Sequence, residues 1–307
     1  MPLKSLKTDY FLDTEALITL RDWLRFGVSR MNQARLHFGH GSLNAYDETA
    51  YLLLRTLHLP PDHLEPFLDA CLTELERTDI QAAFDKRINQ LIPAAYITHE
   101  AWLGEFSFYV DERVIIPRSF IAQLLRERLA PWIIDPDCVT SALDLCTGSG
   151  CLAVLLADAF PNADIDAIDL SADALAVAAR NVSDYHLADQ INLIQSDLFT
   201  ELDDQQYDVI ITNPPYVNAV SMAELPAEYQ AEPAIALASG EDGLEHISII
   251  LKQAGQFLYP SGLLIAEIGH NRDALEASFP QLPFTWLETD GGDEFVFILS
   301  KEQLNLR

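Results

Sequence analysis

Basic residues are scarce in this chain of 307 residues: 19 Lys and Arg stand against 47 Asp and Glu, a formal net charge of −28. The deficit is uneven. Residues 1–110 hold 10 basic against 15 acidic side chains, residues 111–307 only 9 against 32, and no lysine lies between Lys86 and Lys252. A surface of this sign repels phosphate backbones and gains nothing from counterion release, which argues against a direct grip on nucleic acid. It would attract a basic partner and speed the encounter, although solubility alone accounts for the charge equally well. Cysteine is also sparse. Cys71, Cys138, Cys146 and Cys151 form no Cys-x-x-Cys pair and no paired framework, so they read as reduced thiols of a cytoplasmic protein. No apolar run reaches the ~18 residues of a membrane helix. Met1-Pro2-Leu3-Lys4 lacks the apolar core of a secretory signal. What remains is a globular composition, 49% hydrophobic and 21% charged, long enough for two domains or one large one.

The hydrophobic pattern changes along the chain. Leu17, Leu20, Leu24 and Val28 recur at helical spacing, as do Leu53 and Leu57, and then Leu64, Leu68, Leu72 and Leu75. Pro60-Pro61-Asp62 reads as the start of a new helix, and Phe38–Ser42 as a loop. From Phe106 to Ile116 apolar residues alternate around Asp111-Glu112, which predicts a β-hairpin. Beyond Ser119 a helix is expected to about Leu129. Strands are then predicted at Ala142–Cys146, Ile165–Asp169, Ile191–Gln195, Tyr207–Thr212 and Leu263–Ile268, with helices near 150–159, 172–183, 243–258 and 271–279. Such alternation implies a mostly parallel sheet covered on both faces. Phe284–Thr289, Gly291-Gly292 and Glu294–Leu299 read as a terminal hairpin, which reverses one strand. The expected organisation is a helical domain over 1–104, a hairpin linker over 105–118 and an α/β domain over 119–307.

The most informative segment is Asn213-Pro214-Pro215-Tyr216. It follows the apolar run Tyr207–Thr212, so it sits at the C-terminal end of a buried strand, where open α/β sheets bind ligands. The Asn213 side-chain oxygen and the Pro214 carbonyl are two nearby acceptors, suited to an NH2 group. The Tyr216 ring suits a flat one.

A second motif, Asp144-Leu145-Cys146-Thr147-Gly148-Ser149-Gly150, follows the first sheet strand and opens a helix. Glycines let that turn bend sharply and let a ligand approach the backbone. Asp169 ends the next strand and can accept from both hydroxyls of a ribose. Asp197 ends the third, where it could accept from an adenine amino group or merely cap a helix. Together they predict a nucleoside cofactor. Gly148-x-Gly150-x-x-Ala153 also fits a dinucleotide pattern. Asp144, however, would face a pyrophosphate unfavourably and would pair well with the ammonium or sulfonium of S-adenosylmethionine. The histidines also mostly lie outside the strand ends, leaving no obvious hydride-transfer acid or base.

Through these two motifs the chain resembles the protein glutamine N5-methyltransferases. The likeness continues through Glu232-Pro233 and Gly240-Glu241-Asp242-Gly243-Leu244 and into the helical half. Ile116-Pro117-Arg118-Ser119-Phe120-Ile121, Phe38-Gly39-His40-Gly41 and Thr285-Trp286-Leu287-Glu288 look like the branch that modifies the third protein of the large ribosomal subunit. The other branch modifies the Gly-Gly-Gln glutamine of peptide release factors. The resemblance implies a class I S-adenosylmethionine-dependent methyltransferase fold, Rossmann-like and seven-stranded with one reversed strand, behind a helical substrate-recognition domain. It implies Asp144, Thr147, Gly148, Gly150, Asp169, Leu170, Asp197, Leu198 and Asn213 around the cofactor. Asn213, Pro214, Pro215, Tyr216 and Arg118 are implied for the substrate, with Asn213, Pro214 and Tyr216 acting on the reacting amide. No metal is expected. The implied partner is a basic ribosomal protein, free or in an assembling ribosome. Adenine N6-methylation of nucleic acid is the competing use of the same tetrapeptide, and the acidic catalytic half lacks the basic groove that base flipping requires. Arg118 fits a surface ion pair as well, and Glu232-Pro233 fits either a lid or a plain loop. Cys146 and Cys151 read as packing residues.

Overall fold

The structure, a computed structural model, describes Phe11 and residues 14–306. The chain separates into two compact units, Met1–His99 and Glu100–Arg307. The first contains α1 (Leu20–Ala34), α2 (Ala45–Thr56), α3 (Glu74–Asn89) and α4 (Ala94–Thr98). Capping boxes open α1 at Thr19/Asp22 and α3 at Thr73/Glu76, satisfying N–H groups a helix cannot pair itself. Leu20, Trp23, Met31, Leu53, Ile80 and Phe84 are buried in one core. Arg87 is buried with them, its Nε 2.6 Å from Glu48. Phe38–Ser42 is irregular, as expected. The row Leu64–Leu75 is not one helix. Glu65–Phe67 makes a single 3-10 turn, and no helix continues from it before Glu74. The Leu72 N–H donates to the Ile18 carbonyl at 2.8 Å, so this stretch runs extended beside the start of α1.

The second unit opens with a hairpin, β1 (Ala101–Leu103) and β2 (Phe106–Phe108), paired Ala101↔Phe108 to Leu103↔Phe106. It turns at Gly104-Glu105, earlier than the alternation suggested. Gly104 has a φ of +63°, which glycine adopts without steric cost. Asp111-Glu112 makes no hairpin, because Asp111 closes on its own neighbour: its carboxylate takes the Arg113 N–H at 3.1 Å and the Arg113 guanidinium at 2.6 Å.

After α5 (Ile121–Arg126) come β3 (Ser141–Leu145), α6 (Cys151–Ala159), β4 (Asp164–Asp169), α7 (Ala172–Asp184), β5 (Ile191–Gln195) and β6 (Tyr207–Thr212). Then follow α8 (Ala219–Glu224), α9 (Glu245–Gln253), β7 (Leu258–Glu267), α10 (Arg272–Ser278), β8 (Thr285–Thr289), β9 (Gly292–Ser300) and α11 (Lys301–Leu304). The seven strands run in the order β5-β4-β3-β6-β7-β9-β8. The first five are parallel, and β9 is antiparallel to both its neighbours. α6 is apolar nearly all round because it is buried nearly all round. Two apolar clusters cover the two faces of the sheet, one including α6 and the other α9. β7 begins five residues before the predicted Leu263, since Pro260 and Gly262 are carried inside the strand across a register shift opposite Tyr207–Val209. Among the described residues no helix is long and apolar enough to cross a membrane.

Candidate active site

The C-terminal ends of β3, β4, β5 and β6 border one cleft. Backbone and side-chain bonds carry the order past the strands: Thr147 N–H to the Ile168 carbonyl at 2.8 Å, Ser196 N–H to the Asp169 carbonyl at 3.0 Å, and Thr212 Oγ1 to the Leu145 carbonyl at 2.8 Å. Between β3 and α6, Cys146, Gly148 and Gly150 all have positive φ, of 65°, 55° and 77°. The two glycines do different work. A Cβ on Gly150 would stand 3.1 Å from Ala178, so its absence lets α7 approach. A Cβ on Gly148 would meet only Ile115 at 3.8 Å, so this glycine keeps the cleft floor open.

Asp144 is fully buried, and burial pushes its carboxyl up to about 7. Its Oδ2 accepts from Thr147 Oγ1 at 2.5 Å, while Oδ1 has no hydrogen-bond partner. Both residues lie behind the turn and neither lines the cleft. Asp169 does line it, taking the Gly148 N–H at 2.8 Å and the Ser171 N–H at 2.9 Å. Leu170, 49% exposed, stands at the rim with Asp197, whose carboxylate is exposed, and Leu198 is held at a φ of +50°.

Asn213 and Pro215 form the facing wall; Pro214 is buried and outside it. The Asn213 Oδ1 is buried without a partner. Because β3 and β6 pair as Leu145↔Thr212, the two bare oxygens, on Asp144 and Asn213, belong to adjacent strand ends. Tyr216 is held from three places. Asn271 Nδ2 donates to its carbonyl at 2.8 Å. A Cβ on Gly243 would come within 2.6 Å of that carbonyl, and one on Gly269 within 2.6 Å of the ring. Burial, then Glu267, pushes the Tyr216 phenol up, so it stays neutral.

Arg118 does not line the cleft. Its guanidinium grips Glu232 with both ends, at 2.5 and 2.7 Å, and Glu232 also takes the Ile116 N–H at 3.0 Å. The Glu232 side chain is completely buried. Its neighbour Pro233 lines the cleft. The structure thus places the expected substrate contact in an ion pair beside the loop that borders the site.

Three residues escaped the sequence reading. Glu267, at the end of β7, accepts from Ser119 Oγ at 2.6 Å and the Phe120 N–H at 2.9 Å, and burial pushes it up to about 7. It obeys the same rule that singled out Asp144 and Asp169, an acid ending an apolar strand. Asn181, buried within α7, donates to the Ser149 carbonyl at 2.8 Å and the Tyr109 carbonyl at 3.0 Å, tying the glycine turn to the segment after β2. His246 lines the cleft with its ring against Ser239. A wider groove at the opposite ends of β3, β4 and β5 is also acidic, but its Asp166 is engaged by Tyr207 and Asn192.

Residues 123–232 match the family described as Methyltransferase small domain. The ribosomal protein uL3 glutamine methyltransferase of Neisseria meningitidis serogroup B is 59% identical over 94% of this chain and 95% of its own. The protein of that name from Bordetella pertussis is 54% identical over 95% and 98%. The solved hMettl16 catalytic domain, in complex with a MAT2A 3′UTR hairpin, superposes at a TM-score of 0.50 with 15% identity, covering 78% of this chain and 86% of that one. That likeness is one of fold alone.

Proposed function

Because this chain belongs to the family of ribosomal protein uL3 glutamine methyltransferases, we propose that it methylates the side-chain amide nitrogen of a glutamine in ribosomal protein uL3. It is an S-adenosylmethionine-dependent methyltransferase. The observation that carries the reading is the buried, unpartnered Asn213 Oδ1 at the cleft. A buried acceptor left bare costs about 1–3 kcal/mol, so its retention fits a site that a donor group fills in use.

S-adenosylmethionine supplies an electrophilic methyl on a cationic sulfur. For the nucleoside, Asp169 has lone pairs beyond those given to Gly148 and Ser171, suited to ribose hydroxyls. Asp197 and Leu198 suit the adenine, with Leu170 across the rim. Asp144 is a countercharge behind the turn for the cationic end of the donor, and its bare Oδ1 fits that use. Asn213 Oδ1 accepts one N–H of the glutamine amide, and the Pro214 carbonyl accepts the other. Fixing both protons favours a pyramidal nitrogen, frees its lone pair from the carbonyl and aims it across the cleft. The Tyr216 ring packs against the amide plane. The nitrogen gains one methyl and afterwards gives up one proton, so the product amide is neutral. Holding the reactants in line is worth at most ~7–11 kcal/mol, and no base is needed before attack.

We assign substrate recognition to the helical unit, residues 1–99. The net charge of −28 would steer a basic ribosomal protein toward the enzyme, free or within an assembling subunit, in the cytoplasm and without a grip on RNA. The test offers purified uL3 and a release factor to the enzyme with labelled S-adenosylmethionine. Label on a single uL3 glutamine is expected. Label on the release factor alone would move the enzyme to the other branch.

A further inference from the structure

We propose that His246, set by Ser239, donates a hydrogen bond to a ring nitrogen of the donor's adenine and so helps select that base. This rests on the assignment of the cleft to S-adenosylmethionine. Ser239 is fully buried. Its Oγ accepts the His246 backbone N–H at 3.2 Å and lies 2.9 Å from the ring Nδ1 of the same residue. The hydroxyl proton has no other acceptor among the described residues, so it goes to Nδ1. Nδ1 is then the acceptor, which leaves Nε2 as the ring's N–H donor.

His246 lies at the second position of α9 and lines the same cleft as Asp197, Leu198 and Ala236. Nε2 has no hydrogen-bond partner among the described residues. Two nearby side-chain donors are committed elsewhere: Arg113 to Asp111, and Ser196 to the Leu198 carbonyl. Adenine presents one amino donor, which Asp197 can take, and ring nitrogens that can only accept. A fixed N–H beside an acceptor complements that edge. A guanine, with an N–H at N1 and a carbonyl at C6, reverses it.

The experiment is calorimetric binding of S-adenosylhomocysteine to the full chain, together with its 1-deaza, 3-deaza and 7-deaza analogues. His246→Leu should weaken S-adenosylhomocysteine binding about 3- to 10-fold, the size of one hydrogen bond, while His246→Gln, which keeps an N–H donor, recovers most of it. Ser239→Ala, which frees the ring, should fall between. One deaza analogue should bind the natural chain more weakly by the same factor, and that penalty should vanish in His246→Leu. Equal affinity of His246→Leu and the natural chain overturns the inference, as does an unchanged penalty for all three analogues. If the natural chain binds no S-adenosylhomocysteine at all, the assignment of the cleft fails and this inference falls with it.

Discussion

The cleft has two walls, and a buried acceptor is left bare at each, Asp144 Oδ1 behind the glycine turn and Asn213 Oδ1 on the facing side. Their supports differ. From Asp144 to Asp169 the first wall is held mostly by near neighbours: Thr147 bonds Asp144, Gly148 bonds Asp169, and Asn181 of the adjacent α7 donates to the Ser149 carbonyl. The second, at Asn213 and Pro215, is held from outside: Gly243, Gly269 and Asn271 fix the next residue, Tyr216, which itself does not line the cleft. Arg118 and Glu232 fasten the bordering loop. A local turn can shape a pocket for a small donor molecule. A clamp that must receive a protein side chain is open on one side, so its rigidity has to come from distant segments. Mutations should therefore separate the walls.

Asn213→Ala should produce the largest effect. The bare oxygen makes no hydrogen bond in the free protein, so its removal costs the fold little. The clamp loses its side-chain acceptor, and kcat should fall about 10²- to 10³-fold, as for loss of one preorganised polar contact in an active site. Calorimetric affinity for S-adenosylhomocysteine should stay within about threefold of the natural chain, since one weak hydrogen bond is the most at stake there. An equal collapse of donor affinity would show that the two walls act as one.

Arg118→Met should come next. It strands Glu232, whose side chain is completely buried, and breaking such a pair costs about 3 kcal/mol. Denaturant unfolding should show that loss, and the added Glu232→Gln should restore part of it. Gly243→Ala should follow at about 2 kcal/mol, because it combines a left-handed φ of +81° with a backbone oxygen 2.6 Å from the new Cβ. Here kcat should fall more than donor affinity, since the Tyr216 carbonyl is what yields. The reverse split would mean that Gly243 supports the donor wall.

The same contrast explains what the sequence disclosed. The five parallel strands and the glycine turn are local patterns, an apolar run ending in Asp or Asn and then a turn, and their positions match to within a residue or two except at the start of β7. The hairpin and the Leu64–Leu75 stretch did not match, because spacing of apolar residues says nothing about which glycine makes the turn or about the pairing of Cys71 and Leu72 with the start of α1. Asp144 was legible as an acid, but its burial behind Thr147 depends on how tightly the turn closes. Arg118 and Glu232 are 114 positions apart, and Ser119 and Glu267 are 148 apart. Pairings over such distances are set by topology, which no window of sequence contains.

The smallest effect is also the one that separates the walls by charge. Asp144 and Glu267 are both raised by burial to about 7, from ordinary values of 3.8 and 4.5. The folded chain therefore holds protons that the unfolded chain has released, and its stability should decline as pH rises from about 4 to about 7. A cation bound near Asp144 favours its ionised form, so donor binding should expel a fraction of one proton near pH 7. Glu267 already accepts from Ser119 and Phe120 and faces no such cation. Calorimetry of S-adenosylmethionine binding in buffers of different ionisation enthalpy measures the proton count. Asp144→Asn should abolish the release, and Glu267→Gln should leave it intact. Release that survives in Asp144→Asn would move the proton, and with it the countercharge, to another group such as Asp169, which burial also raises.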